Sequence, residues 1–176
     1  MAEVPVLVVV GPPGSGKTTI GTHVATALEV PFHDTDQAVE VAAGRSTSDI
    51  FVQDGEAAFR ALERSEVLRA LQQEAGAVVS LGGGAVLDAD VRAALTAYDV
   101  VFLDVGIADA AGRVGFDASR PLLVVNPRAS WQRLMTARRP LYEEVATWRV
   151  DTAGRSPQEV ADAVLALLEA PESAGE

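Results

Sequence analysis

Apolar residues are arranged along this chain in two ways. Short runs with little polar interruption, Val4 to Val10, Ala77 to Leu81 and Val100 to Val105, have the length of strands and lack the strict alternation of a half-exposed sheet. They predict strands covered on both faces, as in a parallel sheet. Val30 to Phe32 and Ala146 to Val150 are further candidates for the same role. Between these runs the pattern turns helical. A helix is expected from about Lys17 to Leu28 and another from near Gly55. Towards the end, Ser156 stands where a cap belongs, Pro157 in the first turn and Glu159 three residues on, with Val160, Val164, Leu167 and Leu168 along one face. Residues 171–176 read as a polar tail. Strands alternating with helices over 176 residues imply one domain, residues 1–170, of the α/β class with an open parallel sheet. Ligands of such sheets bind beyond the carboxyl ends of the strands.

Composition removes several alternatives. No apolar run reaches the roughly 20 residues that span a bilayer. The first residues lack the basic stretch and cleavage site of a signal peptide, and the absence of cysteine excludes disulfides and thiolate metal sites. A cytoplasmic protein without a membrane partner is expected. Aspartate and glutamate total 25 against 14 lysines and arginines, a net charge of −11, which speaks against a nucleic-acid partner. The charge is uneven. Arg113 to Arg155 holds eight arginines against Asp117, Glu143, Glu144 and Asp151, so an anionic ligand is expected to meet the C-terminal third. Codon usage could favour arginine over lysine but would not cluster it. The chain has one lysine, Lys17.

That lysine sits in GPPGSGKT, residues 11–18, which match the pattern G-x-x-x-x-G-K-[ST] between a buried strand and a helix. Gly11, Gly14 and Gly16 admit backbone angles closed to other residues, so successive N–H groups can converge on phosphate oxygens at a helix N-terminus. Lys17 would reach the β- and γ-phosphates, and the Thr18 hydroxyl is placed to ligate Mg²⁺. A plain glycine turn from strand to helix is the alternative. A guanine-reading Asn-Lys-x-Asp segment would need a second lysine, so a GTP switch is not expected. Asp104, followed by Val105 in the VVFLDV run, stands where a magnesium aspartate would, or is a simple strand-end acid.

Other chemistry is scattered along the chain. Asp34 and Asp36 in His33-Asp34-Thr35-Asp36 could share one side of an extended segment, one holding metal water and the other deprotonating an acceptor hydroxyl. Equally, Asp36 could cap the next helix. Arg60 has Glu56 and Glu63 as helical neighbours, the spacing of an ordinary surface pair. Trp131, Leu134, Met135 and Arg138 fall on one helical stripe, which puts a guanidinium among apolar residues just before Pro140, where a kink is expected. It needs an anion, either a ligand or an internal partner, unless it snorkels to water. Gly82-Gly83-Gly84 would let backbone approach a ligand, or merely turn the chain. Residues 112–126 look like an insert that could close over a nucleotide, or an ordinary loop. His23 and His33 are isolated, and Trp148 suits the core.

Taken in order, GPPGSGKTT (11–19), DTD (34–36), GRSTSDIF and DGEAAFR (44–60), SLGGGAV (80–86), SRPLL (119–123) and RRPLYEEVA (138–146) resemble the shikimate kinase family. The resemblance implies a P-loop fold with a five-stranded parallel sheet of order 2-3-1-4-5, a substrate-binding segment at about 34–62 and a mobile lid at about 112–126. It implies transfer of the ATP γ-phosphoryl group to the 3-hydroxyl of shikimate by a monomer that uses Mg²⁺. Lys17, Asp36 and Arg120 would be catalytic. Asp36, Arg60, Gly83 and Arg138 would bind shikimate, the two arginines through its carboxylate. Gly14, Ser15, Gly16, Lys17, Thr18, Thr19, Arg120 and Arg155 would hold ATP, with Thr18 and Asp34 at the metal. Gluconate kinases and nucleoside monophosphate kinases share the fold and remain alternatives. A regulator that only senses ATP is the non-enzymatic one.

Overall fold

The computed structural model describes residues 5–114 and 126–170. The elements run β1 (Leu7–Val10), α1 (Lys17–Leu28), β2 (Phe32–Asp34), α2 (Thr35–Ala43), α3 (Thr47–Asp54), α4 (Glu56–Gln73) and β3 (Val78–Ser80). A 3-10 turn (Ala85–Leu87) and α5 (Ala89–Leu95) lead to β4 (Val100–Asp104), α6 (Ile107–Val114), α7 (Pro127–Val145), β5 (Trp148–Asp151) and α8 (Pro157–Glu169).

The five strands form one parallel sheet in the order β2-β3-β1-β4-β5, the order that the family resemblance implies. Central strands are buried on both sides because alternate residues feed different layers. Val8, Val10, Val79, Val100 and Phe102 face a core shared with α4, α5 and α7. Leu7, Val9, Val78, Val101 and Leu103 face a second core against α1 and α8. Val39, Ile50 and Phe59 make a small third cluster that holds α2, α3 and α4 together. No helix among the described residues is long and apolar enough to cross a membrane.

Boundaries differ from the expectation where local apolarity is a poor guide. The second strand is not Val30 to Phe32 but Phe32–Asp34, because its register against β3 pairs Phe32 with Val78 and Asp34 with Ser80. The last strand likewise starts at Trp148 rather than Ala146. Helix α7 continues through Pro140 to Val145, since Tyr142 and Val145 bury their side chains in the core beyond it. The capping box of α8 forms as its spacing predicts, with Glu159 N–H donating to Ser156 Oγ at 3.1 Å and Ser156 N–H donating to Glu159 Oε2 at 3.2 Å. The expected lid segment lies outside the described residues apart from the end of α6 and Asn126, the cap of α7.

Candidate active site

All strands point the same way, so the loops at their carboxyl ends gather on one edge of the sheet. After β1 comes the phosphate loop. Gly16 takes the left-handed conformation, φ 87°, that lets the chain enter α1 without a side-chain cap. Gly11 passes so close to β4 that a Cβ would lie 2.6 Å from Leu103 O. Lys17 Nζ arches back over the loop and donates to Gly11 O at 2.9 Å and to Pro12 O at 3.2 Å. Gly14, Gly16, Lys17, Thr18 and Thr19 line a cleft of about 390 Å³ together with Asp34, Asp36, Gly83 and Arg155. Ser15 turns inward instead: it is fully buried, and its N–H donates to Pro12 O.

Asp34 and Asp36 do not share an extended segment. Asp34 ends the strand, whereas Asp36 lies in the first turn of α2. The cap is Asp34 rather than Asp36. Asp34 Oδ1 accepts from Asp36 N–H at 2.9 Å, while its Oδ2 accepts from the Thr18 hydroxyl at 3.2 Å. One carboxylate thereby starts a helix and faces the phosphate loop at once. Asp36 is left beside the glycine turn, where a Cβ at Gly82 would lie 2.4 Å from its Oδ1.

That turn is the meeting point of the site. A Cβ at Gly82 would also lie 2.8 Å from Glu63 Oε2, one at Gly83 would lie 3.6 Å from Arg138 Nη1, and one at Gly84 would lie 2.1 Å from Arg60 Nη1. No side chain fits at Gly82 or Gly84 without displacing these groups. Arg60 is not an ordinary surface arginine. Its Nη1 donates to Glu63 Oε1 at 2.7 Å, its Cζ lies 5.2 Å from the Phe59 ring centroid, and Glu63 is 3% exposed. Burial pushes the Glu63 carboxyl above the usual range, against the pull of Arg60. Arg60, Glu63 and Gly84 line a second cavity of about 530 Å³ that adjoins the cleft at the turn. Arg138 is buried at 6% exposure, on the apolar stripe where helical spacing put it.

Asp104 has a different task from the magnesium aspartate. Arg139 donates to both its oxygens, at 2.7 and 2.9 Å, and Arg149 Nε donates at 2.9 Å. Burial raises its carboxyl pKa, but the two guanidiniums outweigh that and hold it below the usual range. It ties β4, α7 and β5 together. Arg155 reaches the cleft from the loop after β5, with Nη1 donating to Asp151 O at 3.2 Å. Arg120 lies outside the described residues.

Three contributors escape sequence reasoning. Trp131 Nε1 donates to Pro13 O in the phosphate loop at 3.1 Å, Tyr142 donates its hydroxyl proton to Gly83 O at 2.5 Å, and the Thr35 hydroxyl accepts from Gly82 N–H at 3.3 Å. Each contact crosses 47 or more residues, so no local pattern announces it.

Thr18 and Asp34 offer hard oxygen ligands of the kind Mg²⁺ takes. Among the described residues no three His, Cys, Asp or Glu side chains gather to cage an ion. The site therefore suits an ion held mostly by phosphate oxygens and water, which is the usual state of Mg²⁺ at a nucleotide.

A 2-3-1-4-5 parallel sheet, a phosphate loop after its central strand and a cleft that ends in carboxylates and arginines define a P-loop kinase. The family model for shikimate kinase matches residues 13–169. The shikimate kinase of Salinispora arenicola is 54% identical over 94% of this chain and 99% of its own, and that of Streptomyces coelicolor 50% identical over 96% and 98%. The structure of shikimate kinase from Acinetobacter baumannii in complex with shikimate superposes with a TM-score of 0.89 at 34% identity, covering 94% of this chain and 92% of the other. The chain belongs to the shikimate kinase family.

Proposed function

We propose that this chain transfers the γ-phosphoryl group of ATP to the 3-hydroxyl of shikimate, giving ADP and shikimate 3-phosphate on the route to chorismate and the aromatic amino acids. The observation that carries this reading is the convergence of Asp36, Arg60 and Arg138 on the Gly82–Gly84 turn, at the edge of the cleft lined by Lys17 and Thr18.

Each residue has a task set by its place. The loop amides from Gly14 to Thr19 and the Lys17 ammonium hold the phosphates and offset the charge that develops during transfer. Arg155 borders the same cleft on the nucleotide side. Arg60 and Arg138 are planar donors suited to a carboxylate, which would fix the acceptor ring through its acid group. Asp36 then faces the hydroxyl side, takes the proton as the oxygen attacks, and leaves the P–O bond to ADP to break in line. Gly83 allows the ring to lie against backbone. Thr18 and Asp34 would hold Mg²⁺, which would supply positive charge to the transferred group. Arg120, which lies outside the described residues, would add a further cation at the phosphates.

A coupled ADP-release assay across shikimate, gluconate, CMP and AMP tests the reading. Shikimate alone should support release, and Asp36→Asn should abolish it with little loss of ATP binding. Release driven by gluconate or CMP in place of shikimate, or full activity in Asp36→Asn, would overturn it.

A further inference from the structure

We propose that Tyr142 is a positioning residue for the acceptor substrate, holding the glycine turn and the Arg138 guanidinium in register through its hydroxyl. The inference rests on the acceptor site assigned above.

Tyr142 is fully buried on α7, four residues after Arg138 and therefore on the same helix face. Its ring stacks on Phe102 of β4, with centroids 5.1 Å apart and an interplanar angle of 23°. A phenylalanine would satisfy that packing. The hydroxyl needs a separate reason, because a buried polar group without a partner is costly. It has two partners in the site: it donates to Gly83 O at 2.5 Å, and its own oxygen accepts from the Arg138 guanidinium. Arg138 Nη1 would in turn lie 3.6 Å from a Cβ at Gly83. Phenol, guanidinium and turn thus form a closed contact set.

A turn of three glycines has no side chains with which to hold itself. Gly82 N–H is held by the Thr35 hydroxyl on one side, and Gly83 O by Tyr142 on the other. Fixing Gly83 O fixes the plane of the peptide that joins Gly83 to Gly84, and Gly84 is the residue packed against Arg60. Both carboxylate-binding arginines are thereby set by one hydroxyl: Arg138 directly and Arg60 through the turn. Burial pushes the phenol pKa up to about 12, so it stays a proton donor throughout the working range. Contacts to the phosphate loop come from elsewhere on α7, through Trp131. Loss of the hydroxyl should therefore be felt by the acceptor and not by ATP.

Tyr142→Phe keeps the ring and removes only the hydroxyl. The shikimate KM should rise about tenfold, the effect of losing one well-placed hydrogen bond to the turn, while the ATP KM stays within about twofold. As a second readout, the rise in Tm produced by shikimate should shrink in the variant while the rise produced by a non-hydrolysable ATP analogue is retained. Phe102→Leu is the packing control: it should lower Tm and leave the shikimate KM unchanged. An unchanged shikimate KM in Tyr142→Phe, or equal rises in both KM values in step with a lower Tm, would overturn the inference. Turnover of shikimate by the unaltered protein is measured first. Its absence would overturn the acceptor assignment and this inference with it, whereas normal turnover with no selective effect in Tyr142→Phe would overturn this inference alone.

Discussion

Replacing Gly82 by alanine would put a methyl group into the space between two carboxylates. The new Cβ would lie 2.4 Å from Asp36 Oδ1 and 2.8 Å from Glu63 Oε2, where ordinary contact begins at 3.4 Å. Gly82 is outside the left-handed region, so alanine meets no backbone strain there and the whole effect is crowding. The contact with Asp36 Oδ1 is the tighter of the two, so Asp36 has the further to shift, by about 1 Å, to regain ordinary contact. Overpacking of this kind costs about 1–3 kcal/mol. At about 2–4 °C per kcal/mol for a chain of this size, Tm should fall by some 2–12 °C and leave a folded protein at 25 °C. A misplacement of about 1 Å at a reacting group costs on the order of 100-fold in rate, equivalent to about 2.7 kcal/mol of transition-state stabilisation. ADP release at saturating shikimate and ATP measures kcat, and scanning calorimetry measures Tm. Gly106→Ala is the control, because nothing lies within 4 Å of its Cβ and its backbone is not left-handed. A Gly82→Ala protein with the lower Tm but a kcat within threefold of wild type, on the scale of the 100-fold loss expected, would refute the placement of Asp36 as base.

Arg138→Lys keeps the charge and loses the planar donor pair, so the shikimate KM should rise on the order of tenfold with a smaller change in kcat; steady-state kinetics with shikimate varied measures both. Trp131→Phe removes the bond to Pro13 O and should raise the ATP KM by roughly five-fold, more than the shikimate KM; an unchanged ATP KM would make that bond dispensable. Asp104 has a folded pKa below its unfolded value of about 3.9, so its stabilising effect is present above that pH and lost as pH falls through the lower folded value. Asp104→Asn should cost on the order of 3 kcal/mol at pH 7, by leaving Arg139 and Arg149 without their counter-ion, and should flatten the acid limb of a Tm-against-pH curve.

The phosphate loop was legible because its pattern is local: eight consecutive residues carry the turn, the lysine and the threonine hydroxyl between a buried strand and a helix. Arg138 was legible for a related reason, since helical spacing alone puts a charge among Trp131, Leu134 and Met135, and the structure buries it. Asp34 and Asp36 were legible as a pair but not in their division of labour. That division depends on where β2 ends, and β2 is an edge strand whose register is decided by β3 rather than by its own residues. Glu63 looked like half of a surface ion pair, yet the glycine turn packs over it and leaves it 3% exposed.

The sequence by itself determined the class of the sheet, the nucleotide loop and the family, because uninterrupted apolar runs, glycine spacing and ordered motifs are properties of neighbours along the chain. Only the tertiary structure decided how the cluster proposed to bind the acceptor is assembled. Its groups come from α2, α4, α7 and the turn after β3. They meet because parallel strands deliver all their carboxyl-end loops to one edge, and long-range packing, with no local signature, then sets each distance.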